Sequence, residues 1–163
     1  MTISECPGCG AKQESEGIFS QAGYNASPAC VNRYYELTAL TLSLRDAEFI
    51  HQVAVDAYAA QHFSDDMKPI RLAFALIGLY LACQKGYTGK EVQKAHMQLG
   101  KVRRDWPGFG KPLRVNALTV VEVMNGINKK NCREQVMNWA NTVWKDWSPA
   151  HETVKKLVND YLE

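Results

Sequence analysis

Pro69-Ile70-Arg71-Leu72-Ala73-Phe74-Ala75-Leu76-Ile77-Gly78-Leu79-Tyr80-Leu81-Ala82-Cys83 is the stretch on which the fold turns. Proline suits a first helical position, because its missing N–H would find no partner there anyway. After it, apolar residues fall on every face, and a helix apolar all round belongs at the centre of a bundle. The run is shorter than the ~20 residues needed to cross a bilayer, so the reading is a core helix and not a membrane span. Gly86 closes it, since glycine accepts the left-handed conformation at a helix C-terminus.

Helical signals surround this segment. Ser27-Pro28 opens a helix to about Leu44 that buries Val31, Tyr34, Tyr35, Leu37 and Leu40 in part. A second helix, roughly 47–62, carries Ile50, Val53, Ala54, Ala57 and Tyr58 on one face. Thr88 with Glu91 and Thr119 with Glu122 are capping boxes, opening helices to about Arg104 and through Met124. The last two helices cover roughly 131–147 and 149–162, with an apolar stripe of Val136, Ala140, Val143 and Trp147 on the first. The class is all-α: an irregular bundle of six to seven helices spanning 27–163, with a short irregular head, 1–26, packed on it as part of one compact domain. That head is rich in Gly, Ser, Glu and Gln and has no apolar period.

Composition narrows the function. In 163 residues, 46% are apolar and 22% charged, and the formal net charge is +2. This is a globular composition, too near neutrality to make nucleic acid or an anionic membrane the expected partner. The loop around Trp106–Pro112, with Lys101, Arg103, Arg104, Lys111 and Arg114, is basic and aromatic, but reads as a solvated surface. Partners remain open, a protein or a small molecule among them. Five cysteines and no export signal in Met1-Thr2-Ile3-Ser4-Glu5 argue for reduced thiols and a cytoplasmic address.

Chemistry concentrates in the head, at Cys6-Pro7-Gly8-Cys9-Gly10. Two thiolates with two residues between them can grip one tetrahedral ion, most readily zinc. Proline stiffens the turn, and the glycines let backbone N–H groups swing toward the sulfurs. A redox dithiol is the rival reading, but such pairs sit where a helix dipole activates the first thiol, and no helix follows here. Two incidental cysteines are the third. The usual second CxxC is missing, so further ligands come from elsewhere. Cys30, in the first turn of the first helix, sits where the helix dipole favours a thiolate; the plainer alternative is a small core filler.

Helix rise selects the fourth. If the first two helices form a hairpin around Arg45 and Asp46, Cys30 lies fifteen residues before the turn and His62 sixteen after it. Both therefore reach the same end. His51 would stand roughly 15 Å away. Cys6, Cys9, Cys30 and His62 are the expected ligands, in the closed Cys3His form of a structural zinc centre. Binding by the three cysteines alone would leave an open position and permit Lewis-acid chemistry. Cys83 and Cys132 read as core cysteines.

His51, Asp56 and His151 make a second, competing set, that of a metal-dependent hydrolase or transferase with a pocket near the Trp106 loop. His51 and His62 stand three turns apart and cannot share an ion. Asp56, among apolar neighbours, must find a partner or reach solvent. The leading expectation is instead a non-catalytic binding or regulatory module.

Taken together, Cys6-Pro7-Gly8-Cys9-Gly10, Ser27-Pro28-Ala29-Cys30, Val55-Asp56-Ala57-Tyr58 with Gln61-His62, Thr119-Val120-Val121-Glu122-Val123 and the closing Trp139-Ala140, Val143-Trp144 and Trp147-Ser148-Pro149 resemble a bacterial family of uncharacterised small proteins, a domain of unknown function. The resemblance covers nearly the whole chain and implies no activity. In that family a histidine pair follows the last tryptophan motif. Here Ala150 precedes His151, and only one histidine remains.

Overall fold

The computed structural model describes residues 2–15, 21–102, 105–115 and 117–162. Seven α-helices follow a two-stranded antiparallel hairpin among these residues. They are β1 (Thr2–Glu5), β2 (Lys12–Ser15), α1 (Pro28–Ser43), α2 (His51–Gln61), α3 (Pro69–Gln84), α4 (Gly89–Val102), α5 (Val120–Asn125), α6 (Cys132–Asp146) and α7 (His151–Tyr161), with a 3-10 turn at Ser148–Ala150. The chain is mostly helical, as the apolar run and the caps predict. Arg103 and Arg104, of the basic loop, lie outside the described residues.

At the centre lies α3. It packs against α2, α4, α6 and α7, and Leu76, Ile77, Leu79 and Leu81 are all but inaccessible. Each such side chain contributes about 1.5–3 kcal/mol of burial, so this helix anchors the rest. Two indoles tie α6 to the last turn of α2. Trp139 Nε1–H donates to Gln61 Oε1 at 3.1 Å, and Trp147 Nε1–H donates to the Ala60 carbonyl at 3.1 Å. Both rings are fully buried. Gln61 passes the connection on, its Nε2 donating to the Leu118 carbonyl at 2.7 Å.

Three expectations need correction. The second helix begins at His51, later than Ala47, because Arg45 and Phe49 adopt positive φ, 49° and 55°, which no helix continues. Asp46 Oδ2 then accepts the Ile50 N–H at 2.9 Å and sets the new start. Tyr35, expected to be partly buried, is 55% exposed. The head is less irregular than its composition suggests, since β1 and β2 pair from Thr2↔Ser15 to Glu5↔Lys12. Period-2 reasoning misses so short and polar a hairpin, whose Ile3 is 66% exposed.

The head meets the bundle at the C-terminal end of α2. Tyr24 pairs with Phe63 as an isolated antiparallel bridge. The Asn25 N–H donates to the His62 carbonyl at 2.8 Å, and Ser64 Oγ donates to the Gly23 carbonyl at 3.0 Å. The Tyr58 hydroxyl donates to Gln21 Oε1 at 2.6 Å.

Candidate metal centre

Cys6 to Gly10 form the tip of the β1–β2 hairpin. The Cys6 N–H donates to the Ala11 carbonyl and the Gly10 N–H to the Cys6 carbonyl, both at 2.8 Å. Gly10 closes that turn with φ of 79°, a conformation that side chains disfavour. Gly8 is needed for another reason. A Cβ on it would sit 2.2 Å from the Asn25 carbonyl oxygen and 2.8 Å from His62 Cδ2. The knuckle therefore lies flat on the end of α2, with no room for a side chain between.

This close approach brings four side chains together. One ligand atom each from Cys6, Cys9, Cys30 and His62 lies within 4.8 Å of all the others, and among the described residues no other group of three or more His, Cys, Asp or Glu does so. Cys9 Sγ is 3.6 Å from Cys30 Sγ. A tetrahedral ion with Zn–S bonds of ~2.3 Å sets its sulfurs ~3.8 Å apart, so the spacing is that of a metal site.

Each donor is positioned by its element. Ser27 caps α1 by accepting the Cys30 N–H at 3.2 Å on its hydroxyl, and its own N–H donates to Cys6 Sγ at 3.3 Å. One residue thus starts the helix and supports a thiolate. His62 is the C-cap of α2 and is fully buried. Its Nδ1–H points to the Tyr58 carbonyl at 3.1 Å, and its ring stacks on Tyr58 at 4.3 Å. That leaves Nε2, buried and without a hydrogen-bond partner. A backbone carbonyl that fixes one ring nitrogen and leaves the other as a lone-pair donor is the usual support of a metal-bound histidine.

The sulfurs' electrostatics fit a cation as well. Hydrogen bonds from Cys30 and then Cys9 hold the Cys6 thiol far below the ordinary cysteine range. The same contacts act in reverse on the others. Cys30 first, then Cys6, push the Cys9 thiol well up, and Cys6 raises the Cys30 thiol to about 11. A cation at their centre would favour the ionised form of all three sulfurs.

His51, Asp56 and His151 do not converge. His51 turns toward α1, its Nδ1–H donating to Thr41 Oγ1 at 2.8 Å, while Thr41 donates to the Leu37 carbonyl at 3.0 Å. Burial lowers its pKa. Asp56 is buried against α3, where a Cβ on Gly78 would fall 2.0 Å from Oδ2. Its Oδ1 accepts from Gln52 Nε2 at 3.1 Å, and Oδ2 has no hydrogen-bond partner. Burial raises its carboxyl well above the ordinary range. His151 folds back on α6, stacked 3.8 Å from Trp144 with Nε2–H donating to the Trp144 carbonyl at 2.8 Å. Cys132 is fully buried and Cys83 partly so, as core cysteines would be.

One organising residue escapes sequence reasoning. Asp146 is buried and accepts the N–H groups of Val115 at 3.2 Å and Ala117 at 3.0 Å, one on each carboxylate oxygen. Its backbone carbonyl takes the Leu113 N–H at 2.8 Å. This anchors Leu113, Val115 and Ala117 beside the knuckle, where Arg114 Nη1 donates to the Pro7 carbonyl at 2.9 Å. The available signal was an aspartate beside the apolar stripe of α6. Between these loop residues and the knuckle lies a cavity of about 40 Å³, lined by Gly8, Cys9, Gln61, Arg114, Asp146 and Trp147 among others. The loop's aromatics turn inward, Trp106 edge-on to Phe74 at 5.5 Å and Phe109 buried, so they form no open stacking platform.

A family model described as a family of unknown function (DUF5946) matches residues 4–148, and the chain belongs to that family. The match takes in all four clustered side chains. No curated protein and no solved structure matches the chain. No described helix is long and apolar enough to cross a membrane.

Proposed function

We propose that this member of the family of unknown function is a helical binding or regulatory module whose head is locked to its bundle by a structural zinc ion held by Cys6, Cys9, Cys30 and His62. The observation that carries this reading is His62 Nε2. A fully buried polar atom without a partner costs free energy unless something occupies it, and three sulfurs lie beside it. A set of three thiolates and one imidazole suits zinc, in the closed four-coordinate form that structural sites adopt.

Zinc would hold these side chains, complete their charge balance and join three chain segments: the hairpin tip, the start of α1 and the end of α2. The head and the helices then behave as one unit, in a cytoplasmic setting that keeps thiols reduced. A small molecule or protein segment would find its place in the open groove of about 550 Å³ between Ser64–Asp66 and Lys111–Arg114. The hydrolase alternative gains no support, because His51, Asp56 and His151 engage α1, α3 and α6 separately.

Metal analysis of protein purified without an affinity tag tests the reading, with one zinc per chain expected. Cobalt substitution should give the intense visible bands of a tetrahedral, thiolate-rich site. Absence of bound metal, or zinc retained after Cys6→Ala with Cys9→Ala, would sink it.

A further inference from the structure

The four clustered side chains are not equally shielded. Cys30 and His62 are 0% exposed and Cys6 is 2% exposed, whereas Cys9 is only partly buried. Cys9 lines the inner cavity and also an outer cleft of about 380 Å³, shared with Glu5, Cys6, Pro7, Gly10 and Arg114; of the two cysteines in that cleft, Cys9 is the less buried. Cys9 is thus the clustered cysteine most open to a small electrophile in that cleft, and a second sulfur lies beside its own, Cys30 Sγ at 3.6 Å. Cys6 is placed differently, its sulfur buried and taken up by the Ser27 N–H.

We propose that Cys9 is an oxidation site for hydroperoxides and that Cys30 resolves it, which makes the zinc clasp releasable. The inference rests on the structural-zinc reading above. In the first step the Cys9 sulfur attacks one peroxide oxygen. The S–O bond forms, the O–O bond breaks, and the leaving oxygen takes a solvent proton to depart as water or an alcohol. Cys9 is oxidised by two electrons to a sulfenic acid and the peroxide is reduced. In the second step the Cys30 sulfur displaces the sulfenic oxygen, which leaves as water with a further solvent proton. Two thiolates, one hydroperoxide and two protons become one disulfide, one water and one water or alcohol.

A disulfide takes both sulfurs away from zinc, which then departs. Arg114 lines the same cleft and puts a positive charge on the side from which the peroxide enters. The new bond would join the hairpin tip to the first turn of α1, so the head would stay tethered there. His62 Nε2 would lose its partner, while Trp139 and Trp147 would still hold the last turn of α2.

Hydrogen peroxide is the probe, added to untagged wild-type protein whose zinc has first been measured. A metal-binding dye follows release while peptide mass spectrometry without reduction maps the disulfides. The expected result is one zinc released per chain and a Cys9–Cys30 link. A Cys6–Cys9 link, or zinc release with Cys9 unmodified, would overturn the proposal. Brief iodoacetamide treatment of the zinc-loaded protein gives a second reading, in which Cys9 should react about tenfold faster than Cys6 or Cys30; equal rates would count against it. Protein without zinc would defeat the structural-zinc reading, and the disulfide map would still decide this one.

Discussion

Within the bundle, α3 buries Leu76, Ile77, Leu79 and Leu81 and α6 buries two whole indoles, while in the hairpin only Cys6 and Gly8 are buried among residues 3–14. The first region is held by apolar area spread over many contacts. The second is held at points: three sulfurs, an imidazole and a handful of backbone hydrogen bonds. Distributed burial tolerates the loss of a single group at a cost of a few kcal/mol. A polar hairpin of two four-residue strands is not stable alone, so removal of its point attachments should cost the whole element.

The sharpest way to break this contrast is to remove the metal proposed for Cys6, Cys9, Cys30 and His62. Chelation, or Cys6→Ala with Cys9→Ala, should forfeit on the order of 10 kcal/mol of metal-binding free energy. Hydrogen exchange should then show protection lost across 2–15 and 21–26, with α3 and α6 still protected. Equal loss in both regions would mean that the bundle, too, depends on the clasp. Next in size is Trp139→Ala, expected to lower unfolding free energy by about 3–5 kcal/mol in chemical denaturation. It also strands Gln61, whose side chain bridges Trp139 to Leu118.

Asp56→Asn tests how well the bundle bears the Asp56 carboxylate oxygen that faces Gly78 without a hydrogen-bond partner. Burial keeps the proton on Asp56 in the folded state. The unfolded chain releases that proton above about pH 4. Folded protein therefore binds more protons, and its stability falls as pH rises from there toward the raised folded-state pKa, by about 1.4 kcal/mol per pH unit. Asparagine keeps an acceptor for Gln52 and removes the titration. The variant's advantage should grow with pH when urea midpoints are compared from pH 4 to pH 7; a constant difference would show that Asp56 is not the group concerned. The smallest effect is expected for Ser27→Ala at the joint of the two regions. It removes the cap on Cys30 N–H but keeps the N–H bound to Cys6 Sγ. Stability should drop by about 1 kcal/mol, with zinc stoichiometry unchanged.

How legible each region was follows from the same contrast. Helices come from local signals, so the apolar run after Pro69, the Ser27 cap and the Thr119–Glu122 capping box predicted their elements closely. The start of α2 was harder, because Arg45 and Phe49 adopt positive φ and neither residue type announces it. In the site, Cys6 and Cys9 were legible as a motif, Cys30 by its place in the first turn of α1, where the helix dipole favours a thiolate, and His62 through helix rise, a regularity that holds for any hairpin of two straight helices. Asp146 and its hold on Leu113, Val115 and Ala117 were not legible. Their pairing joins an ordinary helical aspartate to loop N–H groups some thirty positions away, and no sequence period records such a contact. The β1–β2 strands were likewise hidden, since their order comes from what their tip touches.

The two indole bonds on Ala60 and Gln61 carry a consequence for the timing of biosynthesis. They fix the residues just before His62 to α6, which leaves the ribosome long after the knuckle does. Cys6 and Cys9 emerge first, at about 5–20 residues per second, and spend several seconds as an exposed pair before the histidine that completes their site exists, longer still before α6 steadies it. A nascent chain in that interval exposes the two knuckle thiols without the imidazole that meets them in the folded protein.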